Sequence, residues 1–254
     1  MYAPTITPKG TADGTYGMDA INRPGLIKVY NWAKSALPRL LATPCCLCAG
    51  PAAQDRGLCA GCHAELPWIN AACLRCGEAL TAAAVCGRCL RQPPAFDTVL
   101  APLHFEAPVS RMIHAFKFRG DLAAGRLLAG LLADAVGDRR PHFLLPVPLH
   151  PRRIRQRGFN QSLEIARYLG RTYRIPIMPR LLSRIRDTPP QHTQAATQRR
   201  ANIRGAFRVN EELTGARIAV VDDVLTTGHT AAEIAQVLKR AGAKQVDIWV
   251  VARA

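Results

Sequence analysis

Several features common in proteins are scarce or missing in this sequence of 254 residues. Aromatic residues make up only 6% of the chain, which argues against a surface that binds nucleic acid by stacking many bases. The chain contains no Walker A or GxGxxG motif, so nucleoside triphosphate and dinucleotide sites of those kinds have no support. The longest apolar run, residues 127–136, is interrupted by Gly130 and Asp134 and is too short to cross a bilayer. We therefore expect no membrane span.

Acidic residues are also scarce. The chain has 18 acidic against 34 basic residues, which gives a formal net charge of +16 and an isoelectric point near 10.1. Such a balance indicates an acidic partner, and nucleic acid, a polyphosphate or an anionic membrane would each serve. Because no charged segment followed by an apolar one opens the chain, we expect no signal peptide. The sequence predicts a cytoplasmic protein with reduced cysteines.

Composition divides the chain into three parts. Residues 1–25 are rich in Thr, Pro, Gly and Asp without any period, which predicts a disordered tail. Residues 26–92 contain a predicted amphipathic helix at 26–41, with a kink expected at Pro38, followed by a cysteine-rich module. Lys28, Lys34 and Arg39 make that helix basic. It suits either a membrane surface or packing onto its own protein, and we favour packing.

Residues 95–254 form the third part and follow the chain-breaking Pro93 and Pro94. Here strand-like runs alternate with helical ones, which predicts an α/β domain with a parallel sheet flanked by helices. The predicted strands are residues 99–105, 143–147, 217–222 and 246–252. The predicted helices are residues 109–118, 122–136, 161–173 and 231–241.

Eight of the nine cysteines form four Cys-x-x-Cys pairs. Ten residues separate the first two pairs and nine separate the last two, and this is typical of small zinc ribbons. The predicted ligands are Cys45, Cys48, Cys59, Cys62, Cys73, Cys76, Cys86 and Cys89. Pairing in sequence order is favoured because each loop has the length of a hairpin, although interleaved pairing also fits. Gly77 and Gly87 suit the tight turn after a cysteine. Cys46 is either a buried bystander or an alternative ligand to Cys45.

A second motif lies at residues 217–230, where a buried strand ends in Asp222 and Asp223. The segment Thr226, Thr227, Gly228, His229 and Thr230 follows, and then a helix whose predicted start is a capping box from Thr230 to Glu233. Backbone N–H groups at such a turn bind anions, and the two acids can accept hydrogen bonds from sugar hydroxyls. A sugar phosphate is the ligand that this combination predicts, against the alternative of a strand-turn-helix with solvated acids.

The run VVDDVLTTGHT at residues 220–230 resembles the phosphoribosyl pyrophosphate (PRPP) motif of type I phosphoribosyltransferases. Three other runs, MIHAFKFRGD at 112–121, PVPLHPRRIRQRGFNQ at 146–161 and TPPQHTQAATQRRANIRGAF at 188–207, make the chain similar to the ComF family of competence-associated proteins. A double zinc ribbon before the domain fits that family as well. The resemblance covers residues 26–254 and implies a type I phosphoribosyltransferase-like sheet preceded by a small zinc-ribbon module.

The same resemblance implies roles for individual residues. Asp222 and Asp223 would bind the ribose hydroxyls, and Thr226 to Thr230 the 5′-phosphate. The segment 147–160, predicted as a loop, would lie by the pyrophosphate and its magnesium. The residues implied there are His150, Arg153, Arg157 and Asn160. Lys117 and Arg119 would belong to the hood over an acceptor.

Two functions remain compatible with these residues. The first is a magnesium-dependent transfer of the pentosyl group of PRPP with release of pyrophosphate, and the second is a non-catalytic protein that senses PRPP and handles single-stranded DNA in DNA uptake. Both need the same pocket, so the residues do not distinguish them. The hypothesis that the protein handles single-stranded DNA depends on a surplus of basic side chains. These include Arg152, Arg153, Arg155, Arg157, Arg184, Arg186, Arg199, Arg200 and Arg204.

Overall fold

The computed structural model describes residues 44–52, 57–186 and 203–254. The predicted tail at 1–25, the predicted amphipathic helix at 26–41 and the run from 188 to 202 lie outside these residues. Within the described part, no helix is both long enough and apolar enough to cross a membrane.

The centre of the fold is a parallel sheet with strand order β1-β7-β6-β3. Its long strands are β6 and β7, and β2 continues β1 along the same edge of β7. The strands are β1 (Thr98–Leu100), β2 (Leu103–His104), β3 (Phe143–Pro146), β6 (Arg217–Leu225) and β7 (Gln245–Arg253). A separate antiparallel pair is formed by β4 (Leu182–Arg184) and β5 (Phe207–Val209). The strands predicted at 143–147, 217–222 and 246–252 are confirmed, with β6 three residues longer than expected, whereas the strand predicted at 99–105 is divided into β1 and β2.

Helices cover both faces of the sheet. One face packs against α3 (Val109–Arg119), α4 (Leu122–Val136) and α6 (Gln161–Tyr173). The other face packs against α7 (His229–Arg240) and the β4-β5 pair. Because both faces are covered, β6 and β7 are nearly continuous apolar runs rather than alternating ones. The predicted helices at 122–136 and 161–173 match α4 and α6 at both ends.

Local signals explain how the chain passes from α3 into α4. Gly120 ends α3 in a left-handed conformation with φ of 68°, which a glycine adopts without strain. The side chain of Asp121 then accepts a hydrogen bond from the Ala124 backbone N–H and caps α4. The packing of α3 against α4 requires a glycine at position 125, because a Cβ there would lie 2.4 Å from the ring of Phe116. The two helices therefore pack closely together, and the end of α3 lies near the carboxyl end of β6, where Lys117 contacts Asp223.

The cysteine-rich module contains two short helices, α1 (Ala60–Ala64) and α2 (Gly87–Arg91). It does not stand apart from the sheet, as the Pro93-Pro94 boundary had suggested. Trp68 forms an antiparallel bridge with Leu103 of β2, so residues 67–69 continue the sheet at its edge. The buried side chains of Leu58 and Leu66 belong to the same hydrophobic cluster as α3, α4 and α6. The module and the α/β domain therefore share a core.

A substitution in that shared core tests whether the two parts unfold together. Leu58 is 2% exposed, so Leu58→Ala is expected to lower the free energy of unfolding by about 2–5 kcal/mol. The measurement is urea denaturation followed by far-UV circular dichroism, with one transition that shifts as a whole. Leu74→Ala, at a site that is 58% exposed, is the control and should change stability by less than about 0.5 kcal/mol. If the unfolding transition of the α/β domain kept its urea midpoint in Leu58→Ala, the two parts would not share a core.

Candidate functional site

The eight Cys-x-x-Cys cysteines form two groups of four. Cys45, Cys48, Cys59 and Cys62 make the first group, and Cys73, Cys76, Cys86 and Cys89 the second; within each, all sulfur atoms lie within 4.8 Å of one another. The pairing thus follows sequence order, and the interleaved alternative is wrong. Four thiolates around one zinc ion would place their sulfurs ~3.8 Å apart, given Zn–S bonds of about 2.3 Å. The Sγ atoms of Cys48 and Cys59 are 3.7 Å apart, as are those of Cys76 and Cys86.

The electrostatics of each group also suit a divalent cation. Backbone N–H groups, that of Cys59 foremost, lower the pKa of Cys45 to about 6. Burial opposes ionisation of Cys73, yet hydrogen bonds from the backbone of Cys86, Cys76 and Arg75 lower its pKa to about 6 as well. In contrast, the neighbouring Cys59 thiol raises the pKa of Cys62 well above its usual range. A zinc ion would offset these effects and hold all four sulfurs as thiolates.

Cys46 lies outside both groups, and it is exposed rather than buried. Neither sequence-based expectation for it, a buried bystander or a ligand, holds in the structure. Of the two glycines predicted in knuckle turns, Gly77 has φ of +69° as expected, whereas Gly87 is the first residue of α2. The corresponding turn of the first group is made by Ala49, with φ of 60°.

A cleft of about 520 Å³ lies where β3 and β6 end. Parallel strands place their carboxyl ends at one edge of a sheet, so the loops after β3 and β6 meet there. The cleft is lined by both acids of the β6 motif, by the whole segment from Thr226 to Thr230 and by four basic side chains. These basic residues are Lys117, Arg153, Arg157 and Arg184. The excess of positive charge suits a ligand with several phosphate groups.

The acid pair lies within β6 rather than after it. Asp222 Oδ1 accepts hydrogen bonds from Ser162 Oγ at 2.8 Å and from the Asp223 backbone N–H at 3.0 Å. Asp223 is 2% exposed, and its Oδ2 lies 2.5 Å from Lys117 Nζ. Burial raises the pKa of Asp222 to about 7, and the charge of Asp223 adds to the rise while Lys117 opposes it. Two adjacent acids and one lysine thus form a compact charged cluster at the floor of the cleft.

The segment after β6 turns sharply at Gly228, whose φ is 78°. Only glycine adopts this conformation readily, so the turn depends on that residue. Helix α7 begins at His229 without a side-chain cap, and the predicted capping box from Thr230 to Glu233 is wrong. Glu233 instead accepts a hydrogen bond from the Gly205 backbone N–H at 2.7 Å, because its side chain points to the segment before β5. The helix start is therefore left without a side-chain carboxylate beside the cleft.

The segment predicted as a loop at 147–160 contains a short helix, α5 (Pro151–Arg157). Pro151 stands in its first turn and His150 caps it by accepting a hydrogen bond from the Arg152 backbone N–H. The helix brings Arg153 and Arg157 to the cleft, and the guanidinium of Arg157 stacks over the ring of Phe118 at 5.4 Å. The arginines therefore project from a helix and not from the predicted loop.

Not every predicted residue reaches the cleft. Arg119 is exposed at the end of α3 and does not line it. His150 and Asn160 act as helix caps, and Asn160 also donates to the Val147 carbonyl at 3.0 Å. Sequence reasoning missed Ser162 and Arg184 as site residues. Ser162 had a usable signal, since it lies in the first turn of the predicted helix at 161–173, two residues after the implied site residue Asn160. Arg184 reaches the cleft through the β4-β5 pair, which no local pattern indicated.

Comparison with known proteins agrees with this arrangement. Residues 155–254 match the phosphoribosyl transferase domain family and residues 36–90 match the double zinc ribbon domain family. Competence protein F of Haemophilus influenzae is 35% identical over 78% of this chain and 91% of its own length. The chain belongs to the competence protein F family. DNA utilization protein YhgH of Escherichia coli K12 is 36% identical over 82% of this chain and 96% of its own length.

The competence protein F family resemblance drawn from the motifs is thereby confirmed, as is the phosphoribosyltransferase-like sheet with its zinc-ribbon module. Among solved structures, glutamine PRPP amidotransferase from B. subtilis aligns with 50% of this chain and 26% of its own length, at 21% identity and a TM-score of 0.36.

The cysteine geometry leads to a count of metal ions. We expect two zinc ions per chain in freshly purified, reduced protein, because each group offers four sulfur ligands and no further position. Cys62→Ser and Cys89→Ser should each leave one zinc ion, whereas Cys46→Ser, outside both groups, should leave two. Elemental analysis per mole of protein gives the count. Loss of a zinc ion in Cys46→Ser, or one ion or none in the wild-type protein, would refute the assignment.

Proposed function

We propose that the cleft binds PRPP with magnesium and that the protein transfers its pentosyl group with release of pyrophosphate. The observation that carries the proposal is that an acid pair, a glycine-dependent turn at a helix start and four basic side chains line one cleft. Separately, each of these features occurs in many proteins. Together they match the parts of one molecule that carries a phosphate, vicinal hydroxyls and a pyrophosphate.

Each part of the cleft has a role in this proposal. The backbone from Thr226 to Thr230 binds the 5′-phosphate, because N–H groups at a helix start favour anions. Asp222 and Asp223 accept hydrogen bonds from the ribose hydroxyls, and Lys117 forms an ion pair with the buried Asp223. Only Oδ1 of Asp222 is used by the described residues, so Oδ2 can take a ligand hydroxyl.

The arginines act on the leaving group. In the transfer, the bond from C1 of the ribose to the pyrophosphate oxygen breaks and a bond from C1 to a nitrogen of the acceptor forms, and the proton of that nitrogen passes to the departing pyrophosphate or to solvent water. Arg153, Arg157 and Arg184 neutralise the charge that develops on pyrophosphate. Bound magnesium would supply further neutralisation of the charge on pyrophosphate. The cytoplasmic location predicted from the sequence is part of the proposal.

Replacing the buried acid tests the PRPP assignment. Asp223→Asn keeps the volume but removes the charge, and a lost charge-assisted contact costs about 1.5–3 kcal/mol, so PRPP affinity should fall roughly tenfold to a hundredfold. Titration calorimetry with magnesium PRPP measures this, and Asp138→Asn, at an exposed turn, is the matched control. Unchanged affinity in the double Asp222→Asn, Asp223→Asn variant would show that the acids do not bind the ribose.

The raised pKa of Asp222 leads to a pH dependence. Its pKa of about 7 means that the carboxylate form becomes dominant as the pH rises above 7, and this form accepts hydroxyls and attracts magnesium. We therefore expect PRPP affinity to rise between pH 6 and pH 8 by more in the wild-type protein than in Asp222→Asn. The variant also corrects for titration of the PRPP phosphates themselves. Identical pH profiles for the two proteins would remove Asp222 from the site.

A second candidate function is the handling of single-stranded DNA, with PRPP as an effector. It is favoured by the name DNA utilization protein carried by several relatives and by Arg152 and Arg155, which α5 exposes beside the cleft. Binding of this kind would be electrostatic, independent of base sequence and steeply dependent on salt. The DNA-uptake machinery is the partner that it implies.

Competition separates this function from unspecific binding of polyanions. If DNA and PRPP share the basic surface around α5, magnesium PRPP must change the affinity for labelled single strands, since linkage is reciprocal. Fluorescence anisotropy at two salt concentrations, with heparin as the competitor control, measures the change. Displacement by heparin without any response to PRPP would leave only unspecific binding.

A further inference from the structure

The buried side chain of Arg253 connects the second cysteine group to the phosphate segment. Arg253 is the last residue of β7 and is 7% exposed. On one side, its Nη1 donates to the carbonyls of Leu225 and Thr226, at 3.2 Å and 2.6 Å. On the other side, its Nε donates to the Cys76 carbonyl at 3.3 Å and its Nη2 to Glu78 Oε2 at 2.6 Å. One guanidinium group therefore contacts both sites.

The contacts with the phosphate segment fix how its backbone is oriented. In a trans peptide the N–H points opposite to the carbonyl. Because the Leu225 and Thr226 carbonyls face Arg253, the N–H groups of Thr226 and Thr227 face away from it. Arg253 does not line the cleft, whereas Thr226 and Thr227 do. The guanidinium thus lies behind the segment and turns two of its donors toward the place where an anion would bind.

The contacts with the ribbon supply the negative charge that Arg253 needs. A buried guanidinium is costly unless it is paired, and its carboxylate partner, Glu78, comes from the second ribbon. Glu78 stands two residues after Cys76 in the turn that holds the sulfur ligands. In that turn the Gly77 N–H donates to the Cys73 carbonyl and the Cys73 N–H to the Glu78 carbonyl. The position of Glu78 therefore depends on the geometry of the metal turn.

Close packing keeps this turn against the sheet. A Cβ on Gly77 would lie 2.6 Å from a methyl group of Val99 in β1, so the glycine lets the turn approach the strand directly. Arg88 of α2 contacts both residues that Arg253 contacts in the ribbon. Its Nη2 lies 3.7 Å from Cys76 Sγ and 3.8 Å from Glu78 Oε2. The second ribbon is thus held against β1 and against Arg253 at the end of β7.

We propose that the second ribbon, through Glu78 and Arg253, holds the phosphate segment in the conformation that binds anions. Arg253 is a positioning residue in this arrangement, and metal in the Cys73 group raises the affinity of the cleft without touching its ligand. The part of the proposal that concerns affinity rests on the proposed function, whereas the part that concerns the order of the segment does not.

The test uses Glu78→Gln in the full chain, with Glu65→Gln, an exposed acid of the first ribbon, as the matched control. Magnesium PRPP affinity should fall roughly tenfold in Glu78→Gln, within the usual range for coupled sites. In the absence of ligand, hydrogen–deuterium exchange of the backbone at residues 225–229 should be faster in Glu78→Gln than in the wild-type protein. Both changes should appear while elemental analysis still finds two zinc ions and the unfolding midpoint in urea stays close to that of the control.

Zinc release gives a reciprocal readout. Because linkage is symmetric, magnesium PRPP should slow the transfer of one of the two zinc ions to a coloured chelator in the wild-type protein and in Glu65→Gln, but not in Glu78→Gln. Unchanged PRPP affinity and unchanged exchange in Glu78→Gln would overturn the proposal. A wild-type protein that does not bind PRPP, together with faster exchange in Glu78→Gln, would refute the proposed function and support the connection between ribbon and segment.

Discussion

The pairing of β6 with β3 on one side and β7 on the other decides where the chemistry of this protein can lie. Because all three strands run in the same direction, the acid pair of β6, the arginines that follow β3 and the guanidinium at the end of β7 meet at one edge. The sheet thus brings residues that follow β3 close to the end of β7, and the end of α3 adds Lys117, which pairs with Asp223 of β6. The helices on both faces then exclude water from the strands and leave this edge as the accessible part.

Two buried ions at that end of the sheet each have a partner of opposite charge. Asp223 pairs with Lys117, and Arg253 pairs with the half-exposed Glu78. Pairs of this kind add little to stability, because desolvation offsets much of their attraction. Their value lies in orientation, since a buried ion with several acceptors has few positions open to it. The cleft is thus built from groups whose positions are fixed before any ligand arrives.

Much of this arrangement could be predicted from the sequence. The apolar runs of β3, β6 and β7, the periodicity of α4 and α6 and the spacing of the cysteines are local patterns, and each was sufficient for its element. What could not be predicted depends on contacts between distant residues. Glu233 was expected to close a capping box, but it bonds to Gly205. The partner of Arg253 lies 175 residues away in the ribbon, and no local pattern carries such a pairing.

The bridge between Trp68 and Leu103 has a consequence for the exposure of the lateral edges of the sheet. An open sheet has two edges whose unpaired N–H and carbonyl groups can recruit a strand from another molecule. Residues 67–69 cover one edge at β2, and the bridge between Leu144 and Ile177 covers part of the other, at β3. The cysteine-rich module therefore protects one lateral edge of the sheet. A chain without the module would keep its cleft residues, but the backbone N–H and carbonyl groups of β2 on that side would be unpaired and open to a strand of another molecule.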